Sequence, residues 1–172
     1  MIPQIKKILY ATDLSKNSSY AFLYAIHMAQ SHDAKVVILH VVESIPPFAY
    51  AELGFMSDEV LKKTIDKERE QDIHQIKEYI PAFCNKVESK IGPPCVELVS
   101  KILVPEGHPV EEILKAVDEE ECDVIVMGSH GKGFLKQTFL GSVSHSVLSR
   151  TRKPVLIIPL PSEKTTADWD GI

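Results

Sequence analysis

Five short apolar runs alternate with helical patterns, and this alternation constrains the fold more than any other feature of the chain. The clearest run is Lys35-Val-Val-Ile-Leu-His-Val-Val42, whose β-branched residues are typical of a strand buried on both faces. Four further strands are predicted at 5–11, 96–104, 124–127 and 153–159. Strands that alternate with helices in this way predict a parallel, doubly wound α/β sheet of five strands with helices on both faces.

Helix start signals stand between these runs. Ser15 or Asn17 is a candidate N-cap for the first helix, and Pro109 suits the first turn of a later one. A long helix is predicted to follow Ser57, and Pro81 is expected either to kink it or to begin a second helix. A last helix is predicted over 142–149.

Length and charge limit the function classes. The 172 residues suit one domain over 1–160, and the polar tail 161–172 is predicted to be disordered. A net charge of −5 argues against a nucleic-acid surface, and no apolar stretch is long enough to predict a membrane span. Cys84, Cys95 and Cys122 lack Cys-x-x-Cys spacing, and their odd number indicates buried or idle thiols in a reducing, cytoplasmic compartment.

A glycine-rich segment follows the fourth predicted strand. It reads Gly128-Ser-His-Gly131, then nine residues, then Gly141-Ser-Val-Ser144. A strand that runs into a glycine turn and a helix start is suited to a polyphosphate, because backbone N–H groups approach the oxygens closely. The spacing matches neither Walker A nor the dinucleotide fingerprint. A turn that merely reverses the chain is the alternative.

Sheets of this class bind ligands at the carboxyl ends of strands, where the strand order reverses. If the first and fourth strands are neighbours there, the loop with Asp13 faces the loop with Gly128. The two sequence features would then form one site. Sequence pattern alone does not establish that strand order.

Several motifs together resemble the universal stress proteins. They are Tyr10-Ala-Thr-Asp13, Leu39-His-Val41, Gly107-His-Pro109, the glycine segment, and Lys153-Pro-Val-Leu-Ile-Ile158. The resemblance covers about residues 4–160. It implies an adenine nucleotide α-hydrolase-like fold with strand order 3-2-1-4-5, and the glycine spacing is that of the family's ATP-binding branch.

The resemblance also implies a site. Ala11, where the family often has proline, and Asp13 would contact the nucleoside, Val41 and Met127 the adenine, and Gly107 and Gly128 the ribose. The phosphates would be surrounded by the glycine segment, and a magnesium or manganese ion would bridge their oxygens rather than bind protein side chains. The nucleotide-binding residues implied are Ala11, Asp13, Val41, Gly107, Met127, Gly128, Ser129, His130, Gly131, Lys132, Gly133, Gly141, Ser142, Val143 and Ser144.

Structural roles compete with these assignments. Asp13, Ser142 and Ser144 are also plausible helix caps, and Lys132 is equally a solvated charge. His130 is expected to face solvent rather than catalyse, and no pair of histidines has zinc-motif spacing. No catalytic residue is predicted.

Three function classes stay open at this stage. The leading one is an ATP-binding regulatory or protective factor of stress response, with slow ATP hydrolysis at most and an unidentified protein partner. The second is an adenylating enzyme of the same fold group; such enzymes have a glycine-rich loop after the first strand, and this chain has no glycine at Thr12–Ser15. The third is a ligand-free dimeric interaction module.

A homodimer is predicted through the apolar last strand, residues Val155, Leu156, Ile157 and Ile158. The apolar loop 44–57 is expected to cover the site or contact a second copy, and simple packing on the core is the alternative.

Overall fold

The computed structural model describes residues 2–43, 58–91, 95–130 and 140–159. Within them the five long strands are separated by helices, as the sequence predicts. The strands are β1 (Lys7–Thr12), β2 (Lys35–His40), β3 (Val42–Glu43), β4 (Val99–Leu103), β5 (Glu106–Gly107), β6 (Val124–Gly128) and β7 (Val155–Ile158). The helices are α1 (Lys16–His32), α2 (Asp58–Ile91), α3 (Cys95–Leu98), α4 (Pro109–Glu119) and α5 (Ser142–Arg150).

The main sheet has five strands in the order β4-β2-β1-β6-β7, and every pairing is parallel. Counted over the five long strands, this is the predicted order 3-2-1-4-5. Ala11 of β1 is paired with Leu39 of β2 on one side and with Met127 of β6 on the other. The first and fourth long strands are therefore neighbours, and the strand order reverses between them.

Two hydrophobic clusters lie on opposite faces of the sheet. One joins α1 and α2 to the sheet through side chains that include Phe22, Ile26 and Phe83. The other joins α4 and α5 through side chains that include Ile113, Val117 and Val147. Helices cover both faces, so the predicted doubly wound architecture is confirmed.

A second, two-stranded parallel sheet pairs β3 with β5. Strands of two residues carry no periodic signal, and the sequence did not predict them. Val42 donates its backbone N–H to the carbonyl oxygen of Pro105 at 2.9 Å, which holds the chain after β2 close to the start of α4.

One boundary differs from the sequence predictions, and one of the two alternatives predicted at Pro81 is excluded. Residues 96–98 form the short helix α3 rather than the start of a strand, and β4 begins at Val99. Pro81 lies inside a continuous α2, so it begins no second helix. Three residues are too few for the spacing of apolar residues to distinguish a helix from a strand.

The cysteine prediction is wrong for two of the three thiols. Cys84 of α2 and Cys95 of α3 form a disulfide, with their Cα atoms 5.4 Å apart, and both residues are fully buried. Two cysteines eleven positions apart form no recognisable sequence motif. Whether they pair depends on how the chain returns from α2 to the sheet, which the sequence pattern does not show. Cys122 is the free cysteine of the described chain and is buried.

Among the described residues, no helix combines the length and apolar character needed to span a membrane. The predicted loop 44–57 and the predicted disordered tail 161–172 lie outside the described residues.

Candidate functional site

A cleft of about 430 Å³ opens at the carboxyl ends of β1, β2 and β6. This is the point where the strand order reverses, as expected for a ligand site in an open α/β sheet. Ten of the predicted residues line it: Ala11, Asp13, Val41, Met127, Gly128, His130, Gly141, Ser142, Val143 and Ser144. The loops after β1 and β6 thus face one another across one cleft.

The loop after β1 is held by a chain of short polar contacts. Ser15 donates its backbone N–H and its hydroxyl to Asp13 Oδ1, at 3.1 and 2.6 Å. The hydroxyl oxygen of Ser15 in turn accepts the N–H of Ser18, so Ser15 is the N-cap of α1. Asp13 therefore supports the cap without being the cap itself. Its side chain is half-buried at the cleft wall.

The middle of the cleft is apolar. Met127 is buried beneath it, and Leu39, Val41 and Ile113 complete the wall. Val41 lies between β2 and β3, where the chain leaves the main sheet. Such a slot suits a flat, weakly polar group held between side chains and backbone.

The far end of the cleft is the first turn of α5. Gly141 is its N-cap, and the following N–H groups of Ser142, Val143 and Ser144 are in the positions that have no carbonyl partner in their own helix. These groups and the helix dipole make this end of the cleft favourable for an anion.

Two hydrogen bonds join the ends of the glycine segment. The Ser144 hydroxyl donates to the Gly128 carbonyl oxygen at 2.8 Å, and the Gly141 N–H donates to the Ser129 carbonyl oxygen at 2.7 Å. The Gly141 N–H is thereby engaged within the protein, so it differs from the first-turn N–H groups that follow it.

Ser129 and His130 are in direct contact. The Ser129 hydroxyl lies 2.9 Å from His130 Nδ1. Ser129 is 5% exposed and does not line the cleft, whereas His130 does. The hydroxyl can orient the imidazole ring, but it is not placed to attack a ligand in the cleft.

Some predicted residues are not brought to the cleft wall. Gly107 lies in β5, and Pro109, two residues later, lines the cleft in its place. Gly131, Lys132 and Gly133 lie outside the described residues.

The long helix α2 also contributes to the cleft, which the sequence did not predict. Glu68 from this helix lines the cleft, as do His40 and Glu43 from the β2–β3 region. His40 Nε2 lies 3.2 Å from Asp72 Oδ2 of the same helix. Helical periodicity shows which face of α2 is apolar but not which strand end that face meets, so no sequence signal identified these contacts.

The cleft is electrostatically polarised. Asp13, Glu43 and Glu68 lie on the β1, β3 and α2 side, and the N-terminus of α5 lies on the other. In the described parts of the chain, no group of three or more His, Cys, Asp and Glu side chains is arranged to hold a metal ion.

The family model described as "Universal stress protein family" matches residues 4–159. The chain belongs to the universal stress protein family. This universal stress protein is 30% identical over 165 residues to universal stress protein MJ0577 of Methanocaldococcus jannaschii, an alignment that covers 89% of this chain and 94% of that one. The solved structure of MJ0577 superposes with a TM-score of 0.68 at 27% identity, covering 94% of this chain and all of the other.

Two more distant solved structures share the fold. One is a universal stress protein in complex with cAMP, with a TM-score of 0.54 and 21% identity, covering 92% of this chain and 100% of the other. The other is an Arabidopsis thaliana member with AMP bound, with a TM-score of 0.55 and 19% identity, covering 97% and 99%.

Proposed function

We propose that the cleft binds ATP together with a divalent cation, and that the protein is a nucleotide-dependent regulatory or protective factor of stress response. The observation that carries the proposal is the first turn of α5, which faces an apolar slot across the cleft. An anion-binding end joined to an apolar slot matches the two halves of a nucleotide. A cleft of about 430 Å³ is within the usual size range of small-molecule sites.

The proposal assigns a role to each part of the cleft. Adenine lies in the slot against Met127 and the backbone of Val41, and Asp13 accepts hydrogen bonds from the ribose or the base. The phosphates approach Gly128 and the first turn of α5, with Gly131, Lys132 and Gly133 completing the phosphate site. In this orientation the negative charges lie away from Glu43 and Glu68.

The cAMP and AMP complexes of two proteins with this fold support the nucleotide class. The glycine spacing of the chain favours ATP among adenine nucleotides, because it extends the anion-binding segment beyond a single phosphate. The cation, magnesium or manganese, is assigned to the phosphate oxygens.

The proposed role is regulatory, with slow ATP hydrolysis at most. The Ser129 hydroxyl is buried and does not line the cleft, so this serine is not placed to attack a bound nucleotide. The proposal also includes a cytoplasmic location, a protein partner and a homodimer through β7.

The test is mass spectrometry of small molecules released when the purified protein is denatured, followed by calorimetric titration of the nucleotide-free protein. ATP is expected in the released fraction, and ATP with magnesium is expected to bind more tightly than GTP. A protein that releases no nucleotide and gives no binding heat with ATP would contradict the proposal and favour a ligand-free interaction module.

A further inference from the structure

The cleft has an acidic wall on the side opposite α5. We define this wall by Glu43 of β3 and Glu68 of α2, which both line the cleft and are exposed. Neither carboxylate makes a hydrogen bond or an ion pair with another described residue. No lysine or arginine occurs among the described residues that line the cleft. The negative charge of the acidic wall is therefore not neutralised by these residues.

Sheet topology gives the distance between the acidic wall and the anion-binding end of the cleft. β2 and β6 flank β1, so their carboxyl ends are two strand spacings apart, roughly 10 Å. Glu43 is three residues beyond the end of β2. His40 Nε2, at that strand end, lies 3.2 Å from Asp72 Oδ2, and Glu68 is one helical turn before Asp72. The first turn of α5 lies on the β6 side, because it is hydrogen-bonded to the last residue of β6.

At this distance the acidic wall acts weakly on phosphates at the α5 end. Salt at physiological strength screens exposed charges over about 8 Å, so a 5′-polyphosphate held there is largely shielded from the two carboxylates. A phosphate on the ribose is closer, because the ribose lies between the adenine slot and the α5 end in the proposed orientation. Like charges at that shorter distance repel one another. The wall therefore discriminates by the position of a phosphate and not by the length of the 5′ chain.

Dinucleotide-binding α/β sheets use the same chemistry beside the ribose. There a carboxylate accepts a hydrogen bond from a free ribose hydroxyl, whereas an arginine accommodates a ribose phosphate. The described lining of this cleft has carboxylates on the nucleoside side and no arginine. This composition suits a nucleoside whose ribose hydroxyls are free.

We propose that Glu43 and Glu68 are specificity-determining residues that restrict the cleft to nucleotides with phosphate on the 5′ oxygen and free 2′ and 3′ hydroxyls. This inference rests on the proposed nucleotide function and names the ligand class of the same site. Nucleotides and coenzymes that carry a further phosphate on the 2′ or 3′ oxygen bind more weakly. Two carboxylates about 6 Å from such a phosphate correspond to a weakening of about tenfold at physiological salt.

The test is calorimetric titration of the full chain with ATP and with two derivatives of ATP, which carry one additional phosphate on the 2′ or the 3′ oxygen. All titrations contain magnesium, and the measured quantity is the ratio of each derivative's Kd to the Kd of ATP. For the wild-type protein we expect a ratio of about ten for at least one of the two derivatives.

A double variant tests whether charge causes this discrimination. Glu43→Gln with Glu68→Gln keeps the size of both side chains and removes their charge. We expect the larger of the two ratios to fall by about threefold or more, while the Kd of ATP changes by less than about threefold. A purely steric exclusion would leave the ratios unchanged.

A matched control lies on the same helix. Glu70 is an exposed glutamate of α2 that does not line the cleft. Two positions along a helix correspond to about 200° around its axis, so Glu70 lies on the opposite side from Glu68. Glu70→Gln removes the same charge and is expected to keep the wild-type ratios.

The outcomes separate the two proposals. Ratios near one in the wild-type protein, equal ratios in the wild type and the double variant, or an equal fall in Glu70→Gln would each overturn the role of the acidic wall. In these cases ATP binding by the wild type leaves the nucleotide function in place. Absence of ATP binding by the wild type overturns both proposals.

The wild-type protein provides a second measurement if circular dichroism shows that the double variant does not fold. Raising the salt concentration from about 0.05 M to about 0.5 M shortens the screening length, so the larger ratio is expected to fall. A ratio that does not depend on salt would show that the carboxylates do not cause the discrimination.

Discussion

The hydroxyl of Ser144 donates to the carbonyl oxygen of Gly128 at 2.8 Å, across sixteen positions of the chain. The two residues lie at the two ends of the glycine segment. The contact fixes the end of β6 to the first turn of α5. Because Ser144 is 4% exposed, water does not compete strongly for this bond. The spacing of the glycine motif thus has a structural reason that is independent of any ligand.

Gly128 and Gly141 are expected to respond differently to substitution. A Cβ at Gly128 would lie 3.4 Å from the His130 carbonyl oxygen, an ordinary contact, whereas one at Gly141 would lie 3.1 Å from the carbonyl oxygen of Ser129. Gly128→Val is therefore expected to fold and to lose about tenfold or more in ATP affinity, because its branches enter the cleft. Gly141→Ala is expected to lose roughly 1–3 kcal/mol of stability. Calorimetry and thermal unfolding measure the two effects, and unchanged affinity in Gly128→Val would remove this glycine from the site.

Asp13 is expected to contribute more to binding than to stability. Its carboxylate accepts two bonds from Ser15, but Ser15 itself caps α1, so Asp13→Ala leaves the cap oxygen in place. We expect a loss of about 1 kcal/mol in unfolding free energy and a larger loss in ATP binding. Ser15→Ala is the matched control, since it removes the cap but leaves the carboxylate. A large fall in melting temperature with unchanged affinity in Asp13→Ala would indicate a purely structural role.

The sequence predicted the scaffold of the site better than its walls. The strands β1, β2 and β6 each contain a continuous apolar run, and the glycine spacing marks the turn after β6, so their meeting point follows from one rule of sheet topology. The contact between His40 and Asp72 could not be predicted, because it depends on how α2 crosses the sheet. The pairing of Cys84 with Cys95 was missed for the same reason, since side-chain pairs between elements leave no periodic trace.

Two tyrosines, Tyr10, which is buried, and Tyr79, which is partly buried, predict how stability depends on alkaline pH. Burial raises the pKa of Tyr79 to about 12 and raises that of Tyr10 further, so the folded state keeps protons that the unfolded state releases near pH 10. The unfolded state then binds fewer protons than the folded state, and stability is expected to fall as pH rises above about 10. Denaturant unfolding at pH 8 to 11 measures this slope.

The same tyrosines provide a matched pair of variants. Tyr10 donates its hydroxyl to the Ser18 carbonyl oxygen at 2.6 Å, whereas the hydroxyl of Tyr79 makes no hydrogen bond of good geometry in the described chain and is only near the Ser19 side chain, whose proximity slightly offsets the rise in its pKa. Tyr10→Phe is expected to cost about 1 kcal/mol at pH 8, and Tyr79→Phe close to nothing. Each variant should also reduce the alkaline slope, and a slope unchanged in both would show that other groups cause it.

The disulfide between Cys84 and Cys95 is expected to stabilise the protein. It closes a loop with a sequence separation of eleven residues, for which chain entropy gives about 3 kcal/mol. Cys84→Ala with Cys95→Ala should therefore lower the urea midpoint, and dithiothreitol should lower that of the wild type but not of the variant. Equal urea midpoints with and without reductant in the wild type would contradict the stabilising role of the disulfide.

Burial raises the pKa of the Cys122 thiol to about 11, so this thiol is expected to react with disulfide reagents only after unfolding.

The last prediction concerns the proposed homodimer. β7 is an edge of the main sheet: it pairs with β6, and no other strand of the described residues pairs with it. Ile158 is 4% exposed and belongs to the core, so a lysine there would disrupt the fold rather than test the edge. Leu156 is half-buried and is the better probe. Leu156→Lys is expected to shift the protein from dimer to monomer in sedimentation velocity while circular dichroism stays unchanged, because a charge blocks pairing at an open edge.

Leu148 on α5 supplies the control for that experiment. It is 50% exposed and lies outside β7, so Leu148→Lys adds the same charge to an apolar surface position without touching the strand edge. The control should remain dimeric. A wild-type protein that sediments as a monomer at micromolar concentration would contradict the homodimer itself. If Leu148→Lys dissociates the dimer and Leu156→Lys leaves it intact, the interface lies on the α5 side of the molecule. The reason is that an added charge destabilises only an interface in which it is desolvated.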